Sequence, residues 1–318
     1  MGIYDFAEII GSETIIKSIK ATISHNRLGC AYIFDGAAGS GKTLLALAFA
    51  KIILCEAGKL GVPCGQCVSC RTLEVGSHPD VIFVRPSKKT MGVDDIREQV
   101  GNVASLMPYS GPRRVFVITK ADSMTVAAQN ALLKTLEGGP KYAVFLLLSQ
   151  NSGAFLPTVL SRCVLYKIPS LAEEQVTDYL IAAGVGAELA KTAAKHAGGS
   201  IGRAKAIAGD EGFLALHTAI IDLARTIEEK DISEIFEAAK ALEAYKDRIS
   251  EALDILRLYF RDALVALCRH DSLENPAIKG FIKKIRAIEE GKRKLNQNCN
   301  FLLTIEVLLL EIRGLSYD

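Results

Sequence analysis

The stretch "GAAGSGKT", Gly36 to Thr43, constrains the fold more than any other part of the chain, because it fits GxxxxGK[ST] and lies between "AYIF" and "TLLALAFAKIIL". A short apolar run entering a glycine-rich turn and leaving at helical spacing reads as strand, loop, helix, the context in which such a loop binds phosphate. Gly36, Ala37, Ala38, Gly39, Ser40 and Gly41 are small enough to let backbone N–H groups curl around phosphate oxygens. Lys42 reaches the outer phosphates and Thr43 offers a hydroxyl to Mg²⁺. ATP with Mg²⁺ is therefore the expected ligand class; the loop alone leaves open whether nucleotide is held in the working protein.

Further apolar runs occur at "VIFV" (81 to 84), "RVFVIT" (114 to 119), "AVFLLLS" (143 to 149) and "CVLYKI" (163 to 168), with helical patterns such as "AAQNALLKTLE" between them. That alternation predicts a parallel α/β sheet with covering helices. After "YKIPSL" the strands stop, and the rest reads as helices broken at "AAGVGAE", "AGGSIG", "AGDEG", "EEKDIS" and "RHDSLENPAI". Length suggests about two domains; the pattern divides the chain into an α/β domain at 1–169, a small helical domain at 170–210 and a helical domain at 211–318. A net charge of +2 gives no general affinity for nucleic acid. With no leader-like start and no uncharged apolar stretch of membrane-spanning length, a cytoplasmic location without membrane contact is expected.

Hydrolysis of a bound triphosphate needs more than the cradle: an acid at the end of a neighbouring strand helps hold Mg²⁺, and a second group orients the attacking water. The strand is present in "RVFVITK", but Thr119 and Lys120 follow its apolar run. Asp122 falls beyond them, where the chain turns into the next helix; metal contact there is the lesser expectation. The residues thus predict an ATP-binding subunit with little or no turnover of its own.

Cys55, Cys64, Cys67 and Cys70 form a Cx8Cx2Cx2C pattern in "CEAGKLGVPCGQCVSC". Four thiolates at that spacing converge tetrahedrally on Zn²⁺, with Gly58, Gly61 and Gly65 relaxing the backbone between them. Four thiolates leave no position for water or substrate, so such a zinc is structural. Cys30, Cys163, Cys268 and Cys299 stand among apolar neighbours and are expected in the core; His78 is expected to be a turn residue. Arg162, in "LPTVLSRC", is either a surface ion-pair residue or a cation for a phosphate, in this chain or a neighbouring one. The basic run from Lys279 to Lys294 reads as a solvated helix face in preference to a phosphate-tracking groove.

Taken together, "NRLGCAYIFDGAAGSGKTLLALAFAKIILC", the cysteine insertion, "AAQNALLKTLEGGP" and "LPTVLSRC" resemble the clamp-loader branch of the AAA+ proteins, specifically its bacterial DNA polymerase III delta-prime subunits. The resemblance covers about the first 210 residues, and "NQNCNFLLTIEVLLLEIR" is similar to the last helix of that family's collar. It implies an AAA+ P-loop sheet with a zinc-binding insertion, a helical lid and an all-α collar. It also implies a pentameric loader that opens a sliding clamp onto primed DNA, with tau/gamma-type motor and delta subunits as partners. Motor subunits carry an acid pair where this chain has Thr119 and Lys120, whereas delta-prime subunits act as rigid stators. By the same resemblance Arg162 becomes a finger supplied in trans to a neighbour's ATP. Asn151 falls where the family has a polar residue near the γ-phosphate, a loop cap being equally open. Gly202 occupies the position of the lid arginine, and Arg203, one residue later, is turned by about 100° and points elsewhere. The alternatives are a motor ATPase of the same complex and, disfavoured by the cysteine insertion, an unrelated P-loop kinase.

Overall fold

The computed structural model describes residues 5–6, 9–25, 27–57, 62–268, 275–297 and 299–314. Gly58, Gly61 and most of the "RHDSLENPAI" break fall outside the described residues. The chain divides into two compact units, Met1–Ala206 and Ile207–Asp318.

In the first unit each apolar run forms a strand: β1 (Ala31–Asp35), β2 (Val81–Val84), β3 (Arg114–Ile118), β4 (Ala143–Ser149) and β5 (Val164–Lys167). They pair in parallel in the order β2-β3-β4-β1-β5. The central strands β1, β3 and β4 are buried on both faces, and their residues alternate between two cores, whereas the edge strand β5 is largely exposed. Val115 and Val117 join Tyr32, Phe34 and Leu146 on one face, while Phe116 and Ile118 join Ile33, Phe145 and Leu147 on the other. Helices α1 (Glu13–Ser24) and α2 (Lys42–Leu54) cover the first face. After the short α3 (Val68–Glu74) come α4 (Val93–Ile96), α5 (Asn102–Ala104), α6 (Val126–Gly138) and α7 (Pro157–Leu160); α4, α6 and α7 line the second face through Ile96, Leu132 and Val159. Three more helices, α8 (Glu173–Ala182), α9 (Ala187–Ala197) and α10 (Ile201–Ala208), complete the helical run after the sheet.

The two ends of the sheet are built differently. At the N-terminal ends of β2 and β3, Asp80 and Arg114 form a buried pair at 3.1 Å. Asp80 also accepts the N–H groups of Tyr109 (2.7 Å) and Ser110 (2.8 Å), and Arg114 donates to the carbonyls of Val103, Leu106 and Met107. Burial alone would raise the Asp80 carboxyl, but those donors and Arg114 outweigh it and hold the group below its ordinary range. The C-terminal ends carry the phosphate loop. In the order β4-β1-β5 the chain leaves β1 in one direction and β5 lies in the other, so the crevice beside β1 is the switch point where open α/β sheets bind ligands.

The second unit is entirely helical among its described residues: α11 (Phe213–Thr226), α12 (Ile232–Ala241), α13 (Ile249–Cys268), α14 (Pro276–Asn296) and α15 (Phe301–Arg313), with a 3₁₀ segment Leu242–Arg248. Its core gathers Phe213, Leu216, Ile220, Leu256, Phe260, Ile288, Ile305 and Leu309, and caps at Asp231 and Asn300 start α12 and α15. Within the basic run, Lys284 pairs with Glu228, Lys292 with Asp254 at 2.8 Å and Arg293 with Glu290 at 2.7 Å, while Lys279, Lys283 and Arg286 are exposed.

One expectation needs correction. Cys30, Cys268 and Cys299 are exposed and not in the core. They stand just before β1, at the last residue of α13 and before α15, and at element ends apolar sequence neighbours do not enforce burial. Cys163 is half-buried, and burial pushes its thiol up to about 12. His78 lies in a turn, as expected, yet is buried; its Nδ1 accepts the Asp80 N–H at 3.0 Å, and burial lowers its proton affinity.

Candidate functional site

From the end of β1 the chain turns sharply into α2. Gly36 donates its N–H to the Ser149 carbonyl at 3.1 Å, tying the loop to β4. A Cβ at Gly36 would stand 2.9 Å from Ser40 Oγ and 3.1 Å from Ile168 Cβ, so a larger residue there would crowd both. Gly39 and Gly41 hold φ of +73° and +85°, the left-handed region that glycine enters without strain. Lys42 opens α2 and donates to the carbonyls of Gly36 and Ala37, each at 2.7 Å. Its ammonium is thus folded onto its own loop, where burial lowers its proton affinity and Asp122 and Asp35 work in the opposite direction. Ser40 Oγ and Asp35 Oδ1 are buried polar atoms without a partner in the chain, a sign that the loop's hydrogen-bonding capacity is not exhausted by the protein.

Beside the loop lies a cavity of about 460 Å³, within the range of small-molecule sites. Ala38, Gly39, Gly41, Lys42 and Thr43 form one wall; Thr119, Lys120 and Asp122 from the end of β3 and Ser149 and Gln150 from the end of β4 form the other. Thr119 donates both its N–H (3.0 Å) and its hydroxyl (3.1 Å) to the Val84 carbonyl. Lys120 follows with φ 50° and ψ 44°, and Ala121–Ser123 then make a 3₁₀ turn. That turn, in place of an immediate entry into helix, brings Asp122 back to the cavity, where its Oδ2 accepts the Gln150 N–H at 3.1 Å. An acid therefore lines the cavity beside the phosphate loop, two residues beyond the Thr119 and Lys120 positions where the strand end would place it. Gln150 and Ser149 were not singled out from sequence; the rule that ligands gather at strand C-termini would have pointed to them.

Other residues expected at the site are engaged elsewhere. Asn151 accepts the Gly153 N–H at 3.0 Å and caps the turn Ser152–Ala154. Arg162 pairs with Glu137 at 2.6 Å and donates to the Thr158 carbonyl at 3.0 Å, partly exposed and away from the lining of this chain's own cavity. At the start of α10, Gly202 donates its N–H to the Gly39 carbonyl at 3.0 Å, and buried Ser200 donates its hydroxyl to the Ala38 carbonyl at 2.9 Å. A Cβ at Gly202 would sit 2.8 Å from both Cα and O of Gly39. Position 202 is therefore a backbone-to-backbone contact that admits no side chain. On the far side of Gly39–Gly41, Ile9, Leu44, Leu171, Tyr179 and Lys205 help line a second cavity of about 210 Å³.

At the other end of α2 the four cysteines converge, their sulfur atoms all within 4.8 Å of one another. Backbone N–H groups of Cys64, Cys67 and Cys70 point at the sulfurs of Cys55, Cys64 and Cys67 at 3.3, 3.3 and 3.4 Å. The Gln66 and Cys67 N–H groups bring the Cys64 thiol down to about 6, whereas burial raises Cys55 and Cys70. Four convergent sulfurs, three of which accept backbone N–H groups, fit a tetrahedral thiophilic cation. The cluster is braced on α2: Lys51, 4% exposed, pairs with Glu74 of α3 at 2.5 Å, and Ser69 donates to Glu56 at 2.9 Å.

The fold and these two sites define a P-loop α/β unit with a four-thiol insertion. The family model described as DNA polymerase III, delta subunit, matches residues 11–172, and the chain belongs to that family. The delta-prime subunit of Bacillus subtilis DNA polymerase III is 27% identical over 94% of this chain and 95% of its own length. The tau/gamma subunit of Haemophilus influenzae is 37% identical over 55% of this chain and 25% of its own. The chain spans between 25% and 54% of the length of the tau-type relatives it matches. In fold, the structure of a gamma subunit-related protein from Thermotoga maritima is similar with a TM-score of 0.51 at 17% identity, covering 95% of this chain and 98% of that one. The resemblance to delta-prime subunits drawn from the motifs is borne out. No described helix is long and apolar enough to cross a membrane.

Proposed function

We propose that this chain is the delta-prime-type stator of a DNA polymerase III clamp loader, working with tau/gamma-type motor and delta subunits to place a sliding clamp on primed DNA. One observation carries the reading: at the end of β3, on the wall of the Lys42 cavity, stand Thr119 and Lys120 where hydrolysis calls for acids. The loop holds ATP weakly, with Gly36 to Thr43 around the phosphates and the apolar cavity beside Tyr179 open to the base. The pocket does not cleave what it holds. Arg162 acts in trans on a neighbour's ATP, its pairing with Glu137 being an exchangeable surface contact. Cys55, Cys64, Cys67 and Cys70 hold a structural Zn²⁺. The working modules are an α/β domain to residue 169, a lid to 210 and a collar from 211 to 318.

Reconstitution with motor and delta subunits tests this. Arg162→Ala lowers the DNA-stimulated ATPase of the complex by about a hundredfold or more, leaving assembly intact, while Lys42→Ala in this chain leaves the rate unchanged. An unaffected rate with Arg162→Ala, or a collapse with Lys42→Ala, contradicts the stator reading. A second reading, a motor ATPase, is favoured by one observation, Asp122 on the cavity wall; a Lys42-dependent rate from the pure chain would establish it.

A further inference from the structure

Resting on the nucleotide-holding reading above, we propose that the phosphate cavity takes its nucleotide free of metal: the Lys120 ammonium, at the end of β3, stands in for the magnesium ion that P-loop sites ordinarily use. Where the cavity wall would ordinarily place an acid at the end of the strand, this chain places Lys120. Lys42 and Lys120 line the cavity against a single carboxylate on that lining, Asp122. Two lysines on one lining compensate a triphosphate's charge directly, and a lysine that reaches the cation's pole repels Mg²⁺.

The placement of Lys120 is built in. It is the one non-glycine residue with positive φ among the described residues, a conformation that disfavours a side-chain-bearing residue by roughly 1 kcal/mol and persists where the surroundings impose it. Those surroundings are visible: Thr119 is fastened twice to the Val84 carbonyl, and the Ser123 N–H closes the turn on the Lys120 carbonyl at 2.9 Å. Besides the Thr43 hydroxyl, the lining offers Mg²⁺, which demands a near-octahedral set of oxygen donors, a single carboxylate. The Thr119 hydroxyl gives its proton to Val84, and one oxygen of Asp122 already accepts from Gln150. A triphosphate held this way lacks the ion that neutralises charge as the γ-phosphate leaves, so it persists as a fixed ligand and braces the loop against which Ser200 and Gly202 pack.

Calorimetric titration of the full-length, zinc-loaded chain with ATP decides this. Magnesium is withheld with metal-scavenged buffers, sparing the thiol cluster, and then supplied at saturating concentration. Metal-free ATP is expected to bind within about threefold of the magnesium complex or more tightly, and Lys120→Glu to weaken metal-free binding by about tenfold or more while making binding improve with Mg²⁺. A wild-type affinity that rises tenfold or more with Mg²⁺ overturns the proposal and leaves nucleotide holding intact; loss of that rise in Asp122→Asn would then assign the ion to Asp122. No binding under either condition overturns both readings together.

Discussion

Helix α2 carries a motif at each end, and the two are made of opposite materials. At its N-terminus the phosphate loop is backbone: small residues, two glycines of positive φ, and carbonyls shared among Lys42, Ser200 and Gly202. At its C-terminus the thiol cluster is side chain: four sulfurs, all within 4.8 Å, whose chemistry travels with the residues themselves. A side-chain site declares its role through residue type and spacing. A backbone site declares only that something anionic fits, and what happens to the guest depends on residues that other strands bring to the opposite wall.

The comparison is broken most forcefully at the thiol end. Cys70→Ser, at the buried member of the cluster, should release bound zinc and destabilise the first unit by on the order of 5 kcal/mol, read from metal content and denaturant unfolding of the same samples. Equal stability in a metal-free Cys70→Ser protein would make the cluster a set of ordinary thiols. A second anchor made of side chains is Asp80 with Arg114, and Asp80→Asn should cost about 3 kcal/mol near neutral pH by leaving the guanidinium buried beside a neutral amide. Because the native Asp80 carboxyl lies below its unfolded value of about 4, its stabilisation is present above that pH and lost as pH falls through the lower folded value. The wild-type stability curve should therefore fall more steeply in acid than that of Asp80→Asn, and parallel curves would remove the pair from the account. The backbone end responds to a smaller change. Gly202→Ala places a Cβ 2.8 Å from Gly39 and should destabilise by about 2 kcal/mol while raising protease sensitivity at the start of α10; an unchanged unfolding curve and digest would mean that this contact yields without strain.

How much could be read from the chain alone follows the same division. All five strands lie within a residue or so of their apolar runs, and the three central ones, buried on both faces, could not be otherwise than apolar. The thiol cluster was legible to the residue, and so were the phosphate loop and the absence of acids at Thr119 and Lys120. Asp122 was harder: its path depends on a 3₁₀ turn at Ala121–Ser123 and on the Gln150 N–H, a partner 28 residues away. Gly202 was read as a displaced arginine site, whereas the structure gives the reason for glycine, a contact with Gly39 that leaves no room for any side chain. Exposed Cys30, Cys268 and Cys299 show the limit of judging burial from sequence neighbours at element ends.

The central claim is that the Lys42 cavity grips a triphosphate without cutting it. Single-turnover hydrolysis, with the pure chain in excess over labelled ATP and Mg²⁺ present, measures this directly: phosphate release should not exceed that of Lys42→Ala. Release that requires Lys42 and disappears in Asp122→Asn would contradict the account and make the chain a motor.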